Sequence, residues 1–401
     1  MAIVSLQAQW TPRPSGTTHF LRDIFFPTPA IGIAVGDSGT IVRSSDAGET
    51  WAAVFADDST QLASVYFPTS TLGFAAGSMY GIDPPYGMVL KTVDSGLNWA
   101  PCLMDSTQGF GAVYFVNSDT GYAGGWITSL RTTDGGISWD PIPGAIGVGI
   151  HSIDFPSPNV GYFVGGPDAA PLLYKTTDGG NSVEPVTNGF QSIKETCQFL
   201  NDSVGFMGGW YNPMLARTDD RGLTWTDIGD GLSQAWDLHF TSADSGRIVG
   251  HSGGWGWIFG TTNGGDTWNT EYSEADGQLE ALFMVDEQLG FAAGSNGLIL
   301  KNTNAGTGIH DPTAALTHLI IHPNPARDRI TIEIRNDAIN VNLDLELIDA
   351  TGRMVVRSTL VVEGSRAMWA IPGSIPAGNY TLVLTSAGKG AIGRETLSIV
   401  R

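Results

Sequence analysis

Seven related segments of this sequence each begin after a residue that changes from one segment to the next. That variable position holds Arg22, Ala63, Gly111, His151, Glu195, Trp236 and Glu280. Two of these, Glu195 and Glu280, are candidates for a pair of carboxylates, which could cleave a glycosidic bond by acid and base chemistry. Arg22, His151 and Trp236 instead suit non-covalent binding of a ligand. Binding is our first interpretation, and hydrolysis or lyase chemistry by the two glutamates is the alternative.

Aromatic residues are concentrated in loops whose lengths differ between the segments. They are Tyr80, Tyr86, Trp126, Trp210, Tyr211, Trp255 and Trp257. A group of exposed rings on one face suits sugar rings, peptides and other flat apolar surfaces. The alternative is that several of these rings only cover the hydrophobic core. We expect neither a metal nor a cofactor, because the sequence has no clustered His and Cys ligands and no phosphate-binding glycine loop.

The elements that must position these residues are repeats of about 40–48 residues, each marked by one eight-residue phrase. The phrase reads SSDAGETW at 44–51, TVDSGLNW at 92–99, TTDGGISW at 132–139, TTDGGNSV at 176–183, TDDRGLTW at 218–225, TTNGGDTW at 261–268 and NTNAGTGI at 302–309. Its third residue is Asp or Asn, which can accept backbone hydrogen bonds, and its fifth is Gly, which tolerates positive φ. The phrase therefore predicts a tight turn between two strands rather than a catalytic site.

Each repeat has room for four short strands. A lead-in strand such as SVYF at 64–67 usually ends in an aromatic residue, and a Gly-x-x-x-Gly strand such as GFAAG at 73–77 follows it. Seven repeats of four strands predict an all-β fold, a seven-bladed β-propeller over residues 1–309. The last repeat lacks its fourth strand, so we expect the segment around Trp10 to complete blade seven. A basic residue recurs before most of the turns (Arg43, Lys91, Arg131, Lys175, Arg217 and Lys301), which favours a structural role.

The repeated phrase resembles the Asp box, S/T-x-D-x-G-x-T-W, of sialidase-like propellers. Together with the Gly-x-x-x-Gly strands, it resembles the photosystem II assembly/stability factor-like propeller family over about residues 9–309. That resemblance implies the fold and leaves the activity open. The sequence lacks the Arg-Ile/Leu-Pro motif of sialidases near its first strand.

The sequence pattern changes after a polar linker at residues 310–317. Residues 318–401 alternate short apolar strands with Gly and Pro turns, which predicts a small Ig-like antiparallel β-sandwich. Residues 322–325 (HPNP), 349–352 (DATG) and 376–380 (PAGNY) resemble motifs of the C-terminal sorting domain of type IX secretion. The resemblance implies a secreted or outer-surface protein of a Bacteroidetes-like bacterium, with the type IX machinery as a partner.

The charge and composition of the chain exclude some classes of binding partner. The net charge is −20, and residues 1–309 carry all of it, with 11 Lys and Arg against 31 Asp and Glu. Such a surface repels phosphate backbones, so we expect no nucleic-acid partner. No apolar stretch is long enough to span a membrane.

Residues 1–8 are interpreted as the remnant of a signal peptide. An extracellular glycan or protein is the expected partner, and a role as an assembly scaffold for exported proteins is a further alternative.

Overall fold

The structure, a computed structural model, describes residues 9–79, 86–146, 149–166, 173–186, 194–210, 214–229, 232, 234–275, 277–303, 319–322, 326–334, 342–348, 354–361, 366–386 and 390–400. The chain falls into two units, residues 1–306 and 307–401. The proposed signal-peptide remnant at residues 1–8 lies outside the described residues.

The first unit is a ring of seven antiparallel four-stranded sheets, the seven blades of a β-propeller. The innermost strands of blades one to seven are β2 (Leu21–Thr28), β6 (Thr60–Tyr66), β10 (Phe110–Phe115), β14 (Ile150–Asp154), β18 (Lys194–Phe199), β22 (Asp237–Phe240) and β26 (Leu279–Met284). The second strands are β3 (Ile31–Gly36), β7 (Gly73–Met79), β11 (Gly121–Gly125), β15 (Gly161–Gly165), β19 (Gly205–Gly209), β23 (Gly246–Ser252) and β27 (Leu289–Gly294).

The outer half of each blade holds the turn phrases. The third strands are β4 (Ile41–Ser44), β8 (Gly87–Thr92), β12 (Thr128–Thr132), β16 (Leu173–Thr176), β20 (Leu215–Thr218), β24 (Trp255–Thr261) and β28 (Ile299–Thr303). The fourth strands of blades one to six are β5 (Ala52–Phe55), β9 (Ala100–Asp105), β13 (Asp140–Ile146), β17 (Glu184–Pro185), β21 (Thr226–Asp227) and β25 (Asn269–Ala275). Blade seven takes its fourth strand, β1 (Gln9–Arg13), from the start of the described chain, where Gln9 pairs with Thr303 and Arg13 with Ile299.

The second strands explain the Gly-x-x-x-Gly pattern. All five residues of the pattern are buried in every blade, because neighbouring sheets cover both faces of these strands. In blades one to six the first glycine lies against the aromatic ring at the end of the innermost strand, and in blade seven it lies against Met284. A Cβ atom on Gly121 would come within 2.4 Å of the Phe115 ring. The glycine is therefore a packing requirement, and the aromatic residue and the glycine occur together for that reason.

The repeated phrase forms the turn between the third and fourth strands. In blade three, the backbone N–H groups of Ile137 and Ser138 donate to Oδ1 of Asp134 at 3.0 and 2.9 Å. The hydroxyl of Thr132 donates to the same carboxylate and accepts from the N–H of Gly136, whose φ is +84°. Hydrogen bonds from the Ser138 side chain and then its N–H lower the pKa of Asp134 to about 2. The turn is thus held by its own side chains.

The recurring basic residues join one blade to the next. Lys91 donates to the carbonyl of Gly135 at 2.7 Å, and Arg43 donates to the carbonyl of Ser95 at 2.8 Å. Lys301 reaches from blade seven to the Ala47 carbonyl of blade one at 2.8 Å. These contacts place a positive charge on carbonyl groups of the neighbouring turn, and the same device acts at the joint where the ring closes.

The innermost strands line the ring's axis. At one level, the rings of Phe25, Tyr66 and Tyr114 follow one another with centroid distances of 5.2 and 4.5 Å. Asp23, Asp154 and Asp237 are half-buried near them, and each accepts a backbone N–H from the innermost strand of the following blade. Burial, with the charge of Asp237 second, raises the pKa of Asp23 to about 8. Burial also raises the pKa of the other two to about 7.

The second unit contains two antiparallel sheets. One has the order β29 (Leu319–His322), β30 (Arg329–Ile334), β33 (Arg366–Ala370), and the other has the order β32 (Met354–Val361), β31 (Asn342–Ile348), β34 (Gly378–Ser386), β35 (Gly390–Ile399). Ile332 and Trp369 of the first sheet share one hydrophobic core with Leu345 and Leu382 of the second. This is a small β-sandwich.

Both cysteines, Cys102 and Cys197, are free thiols. A single 3₁₀ turn, Ser295–Gly297, is the helical element among the described residues. Within those residues, no helix has the length and hydropathy needed to cross a bilayer.

Candidate functional site

Two positions in each blade meet at one end of the ring and are called the rim here. The first rim position is the variable residue at the start of the innermost strand: Arg22, Ala63, Gly111, His151, Glu195, Trp236 and Glu280. The second follows the last glycine of the Gly-x-x-x-Gly pattern: Asp37, Ser78, Trp126, Gly166, Trp210, His251 and Ser295. Both lie at the same end because the innermost strand starts where its antiparallel neighbour finishes. The turn phrases lie at the opposite end.

Blades five and six contribute a wall of stacked rings to the rim, and blade seven contributes the carboxylate at its end. Trp210 packs edge-on against Trp236, with ring centroids 5.1 Å apart. Trp236 stacks on the imidazole of His251 at 4.9 Å, with the planes only 11° apart. Nε2 of His251 lies 3.6 Å from Oε1 of Glu280. The aromatic wall therefore ends on a carboxylate.

An ion-pair cluster continues this wall into blade one. Arg22 donates from Nη1 to Glu280 at 3.0 Å and from Nε to Asp37 at 2.6 Å. The side-chain amide of Gln61, on blade two, donates to the same carboxylate of Asp37 at 3.0 Å. The contacts form one chain from Trp210 to Gln61, which fixes these side chains across five blades.

The opposite side of the rim is built around His151. Its Nδ1 lies 2.7 Å from Oε2 of Glu195, so blades four and five are joined by a histidine–carboxylate pair. The ring of Trp126 lies 5.8 Å from the imidazole, tilted by 59°. Blades two and three carry only Ala63 and Gly111 at the first rim position, so Trp126 is the large side chain on that part of the rim.

Trp126 is exposed and yet held in place. It is 56% exposed, while its backbone N–H donates to the carbonyl of Gly109 at 3.2 Å. A Cβ atom on Gly109 would lie 3.0 Å from Nε1 of Trp126, and one on Gly149 would lie 3.4 Å from its Cε3. The indole therefore packs closely over two glycines, Gly109 and Gly149.

The two glutamates predicted as a catalytic pair belong to different contact groups. Glu195 is held by His151, and Glu280 is held by Arg22 with His251 close by. Among the described residues, no hydrogen bond joins one glutamate to the other. The rim brings Arg22, His151, Trp236 and both glutamates to one end of the ring, but it pairs each acid with a base.

The remaining predicted aromatic residues have different surroundings. Trp255 is 55% exposed at the tip of the β23–β24 hairpin, just beyond the rim residue His251. Tyr86 is half-buried, and its carbonyl accepts the N–H of Met79. Tyr80 and Tyr211 lie outside the described residues.

Trp257 differs from the sequence-based expectation of an exposed ring. It is only 6% exposed and packs with Phe259 at 4.9 Å, in a cluster that includes Phe206 and Leu215 of blade five. It lies deeper in β24 than Trp255, where the neighbouring blade covers it. Trp257 is thus a core residue between blades five and six.

Sequence reasoning did not single out Asp37 or Gln61, and it included His251 only as part of a loop. The repeat pattern could have identified Asp37 and His251, because both directly follow the last glycine of the Gly-x-x-x-Gly pattern. Trp126 and Trp210 occupy the same position in their blades. Gln61 has no such register mark. Its role depends on the contact that it makes with blade one.

An open groove of about 710 Å³ lies outside the rim, beside the joint of blades seven and one. Residues 12–19 and 296–298 line it. Within the described ranges, no group of three or more His, Cys, Asp and Glu side chains is placed to hold a metal ion.

Residues 320–394 match the family model described as "Secretion system C-terminal sorting domain". No curated protein sequence gives a significant match to this chain. The match identifies the second unit as a type IX sorting domain. The protein is accordingly a type IX-secreted or cell-surface protein of a Bacteroidetes bacterium.

Solved structures share the propeller fold at low sequence identity. A YCF48 structure described as bound to D1 peptide is 19% identical, with a TM-score of 0.58, and covers 75% of this chain and 99% of its own. YCF48 from Cyanidioschyzon merolae gives the same identity and score over 73% and 98%. The GH74 enzyme of Niastella koreensis is 12% identical, with a TM-score of 0.61 over 98% of this chain and 74% of its own. These likenesses show a seven-bladed propeller and leave the activity open.

Proposed function

We propose that this chain is a non-enzymatic binding protein that recognises an extracellular glycan or protein through the rim of its propeller. The observation that carries the proposal is Trp126, which is 56% exposed although its indole is seated on Gly109 and Gly149. An exposed tryptophan gains nothing for folding from its open face. A fixed, exposed indole is a typical anchor of a binding surface.

The rest of the rim supports binding because its side chains are already in place. Trp210, Trp236 and His251 hold one another by stacking, and Glu280 and Arg22 continue the contacts. A ligand that met these groups would not have to order them first, so less of the binding free energy would be lost.

Hydrolysis at the rim is the weaker candidate. A glycosidase needs a carboxyl group that is free to donate a proton and a second carboxylate across the scissile bond. Here each glutamate of the predicted pair is engaged by a neighbouring base. The likeness to GH74 enzymes, at 12% identity, concerns the fold. The YCF48 structure described as bound to D1 peptide shows that a propeller of this fold can bind a peptide. A protein ligand, or a role in assembly, is therefore as well supported for this chain as a glycan ligand.

The test is a binding screen of the full-length protein against a glycan array and against extracellular proteins from the producing bacterium, with product analysis of every glycan that binds. Trp126→Ala should abolish the binding that the wild type shows. Ile137→Ala is the control, since this apolar side chain is 82% exposed on the turn phrase of blade three, at the end of the ring opposite the rim. Equal effects of the two substitutions would remove the rim as the site. A cleaved glycan would replace binding with hydrolysis as the function.

A further inference from the structure

We infer that the ligand of the rim is cationic, namely a Lys or Arg side chain presented by a protein partner. This inference rests on the proposed binding function and narrows its ligand to one chemical class. It follows from the charges at the rim, from the way the propeller uses its own basic residues, and from the position of the Trp126 indole next to His151, which contacts the Glu195 carboxylate.

The propeller's own cations are committed to its scaffold. Residues 1–309 hold only 11 Lys and Arg against 31 Asp and Glu. Basic side chains bind carbonyl groups or acids of neighbouring turns and strands in at least nine cases: Arg13, Arg22, Arg43, Lys91, Arg131, Lys175, Arg217, Arg247 and Lys301. These basic side chains therefore join strands and blades of the propeller, and the propeller surface carries a net negative charge.

The rim itself carries this excess. Among its described residues, Asp37, Glu195 and Glu280 are acidic and Arg22 is the basic partner of two of them. The formal charge of these four side chains is −2. An anionic ligand such as a uronate or a phosphate would be repelled, and a neutral sugar would gain nothing from the charge. A cationic side chain gains from it directly.

The Trp126–His151–Glu195 side offers both contacts that such a side chain needs. The apolar stem of Lys, or the plane of Arg, can lie on the open face of the Trp126 indole. The His151 imidazole lies beside the indole, and its Nδ1 is 2.7 Å from Oε2 of Glu195. The negative charge of Glu195 therefore lies on the far side of the imidazole from Trp126. Trp and carboxylate together favour an ammonium or guanidinium group over an uncharged one.

The experiment measures binding of three probes to the full-length protein by calorimetry at low and moderate salt. The probes are N-acetylated, C-amidated hexalysine and hexaarginine, and the neutral sugar cellohexaose. Glu195→Gln removes one charge but retains an oxygen that can face His151. Glu184→Gln is its matched control, because Glu184 is exposed on β17, the outer strand of blade four, next to the turn phrase at the opposite end of the ring. Melting temperatures check that both variants are folded.

We expect the cationic peptides to bind more tightly than cellohexaose, and to weaken as salt rises. Glu195→Gln should weaken them roughly tenfold and Glu184→Gln less than about twofold, because a surface charge at the opposite end of the ring contributes little. Equal losses in the two variants would show non-specific attraction to an acidic protein and would overturn the inference.

The outcomes also separate the inference from the proposed function. Binding of cellohexaose that depends on Trp126, with no binding of either peptide, would overturn the cationic ligand and leave the rim as a binding site. Peptide binding that depends on Glu195 supports the inference. Peptide binding that is unchanged in both Trp126→Ala and Glu195→Gln would overturn the inference and the rim site together.

Discussion

The indole Nε1 of Trp10 donates a hydrogen bond to the carboxylate of Glu271 at 3.0 Å, across 261 positions of the chain. Nε of Arg247 donates to the same oxygen at 2.8 Å. Trp10 lies on β1 and Glu271 lies on β25, so this contact links the outer strands of blades seven and six. Trp10 is 6% exposed and also packs against Met284 and Leu300. The closing strand β1 is therefore held to blade six by a hydrogen bond and within blade seven by hydrophobic packing.

Replacing Trp10 tests whether this joint stabilises the propeller. Trp10→Ala should lower the free energy of unfolding by about 3–5 kcal/mol, because it empties a buried site. Trp10→Phe should cost less, since it keeps most of the packing and loses the hydrogen bond to Glu271. Chemical denaturation of the full chain measures both. The exposed Trp255→Ala is the control. An unchanged midpoint for Trp10→Ala would mean that β1 adds little to closure.

The turn carboxylates predict a loss of stability in acid. Hydrogen bonds within the turn, first from the Ser138 side chain, lower the pKa of Asp134 to about 2, and Thr224 acts in the same way on Asp220. A depressed folded pKa means that the stabilisation is present above the unfolded value, near pH 4, and is lost as pH falls towards 2. The melting temperature of the wild type should therefore drop between pH 4 and pH 2.

The double variant Asp134→Asn and Asp220→Asn should remove part of that drop. Asparagine fits this turn, since Asn263 of blade six accepts the N–H of Thr267 at 3.0 Å and donates to its hydroxyl at 2.9 Å. The variant should melt close to the wild type at pH 7 and lose less between pH 4 and pH 2. Melting curves with the same acid slope as the wild type would contradict the role given to these two carboxylates.

The buried carboxylates predict the opposite trend at higher pH. Burial raises the pKa of Asp154 to about 7, above its ordinary value of 3.8. A raised folded pKa gives stability that is fully present below the unfolded value and is lost as pH rises through the folded value. Asp154, Asp237 and Asp23, whose pKa is about 8, should together make the propeller less stable at pH 8.5 than at pH 5.5.

Asp154→Asn isolates one of these groups. The amide oxygen can still accept the N–H of Phe199, and Tyr114 and Cys197 remain beside it. We expect a higher melting temperature than the wild type at pH 8.5 and a small difference at pH 5.5. The same ranking at both values of pH would argue against a neutral Asp154 in the folded protein.

Removal of the second unit tests the export route. A chain that ends at residue 306 lacks the sorting domain matched at residues 320–394 and should stay inside the cell envelope. Fractionation of the producing bacterium, with antibody against the propeller, measures its distribution between envelope and exterior. Full-length protein produced in parallel is the control. Normal release of the truncated chain would show that export does not depend on this domain.

The alignment of the repeats predicts which residues lie at the rim, but not which residues they contact. The variable residue before each innermost strand could be aligned from the repeats, so Arg22, His151, Glu195, Trp236 and Glu280 were placed at one end of the ring. What each one contacts could not be read in this way. Glu280 meets Arg22 across 258 positions, and the acid pair suggested by the sequence is in fact two acid–base pairs.

The sequence by itself determined the seven blades, the turn between their outer strands and the sorting domain. These features depend on short-range chemistry: an Asp that bonds to N–H groups three and four residues on, a Gly with positive φ, and strands that recur at a fixed period. Only the tertiary structure decided that Trp257 is buried, that Trp126 rests on two glycines, and that Asp37 and Gln61 belong to the rim. Those facts arise where different blades pack against one another, and packing depends on the closed ring as a whole rather than on neighbours in the chain.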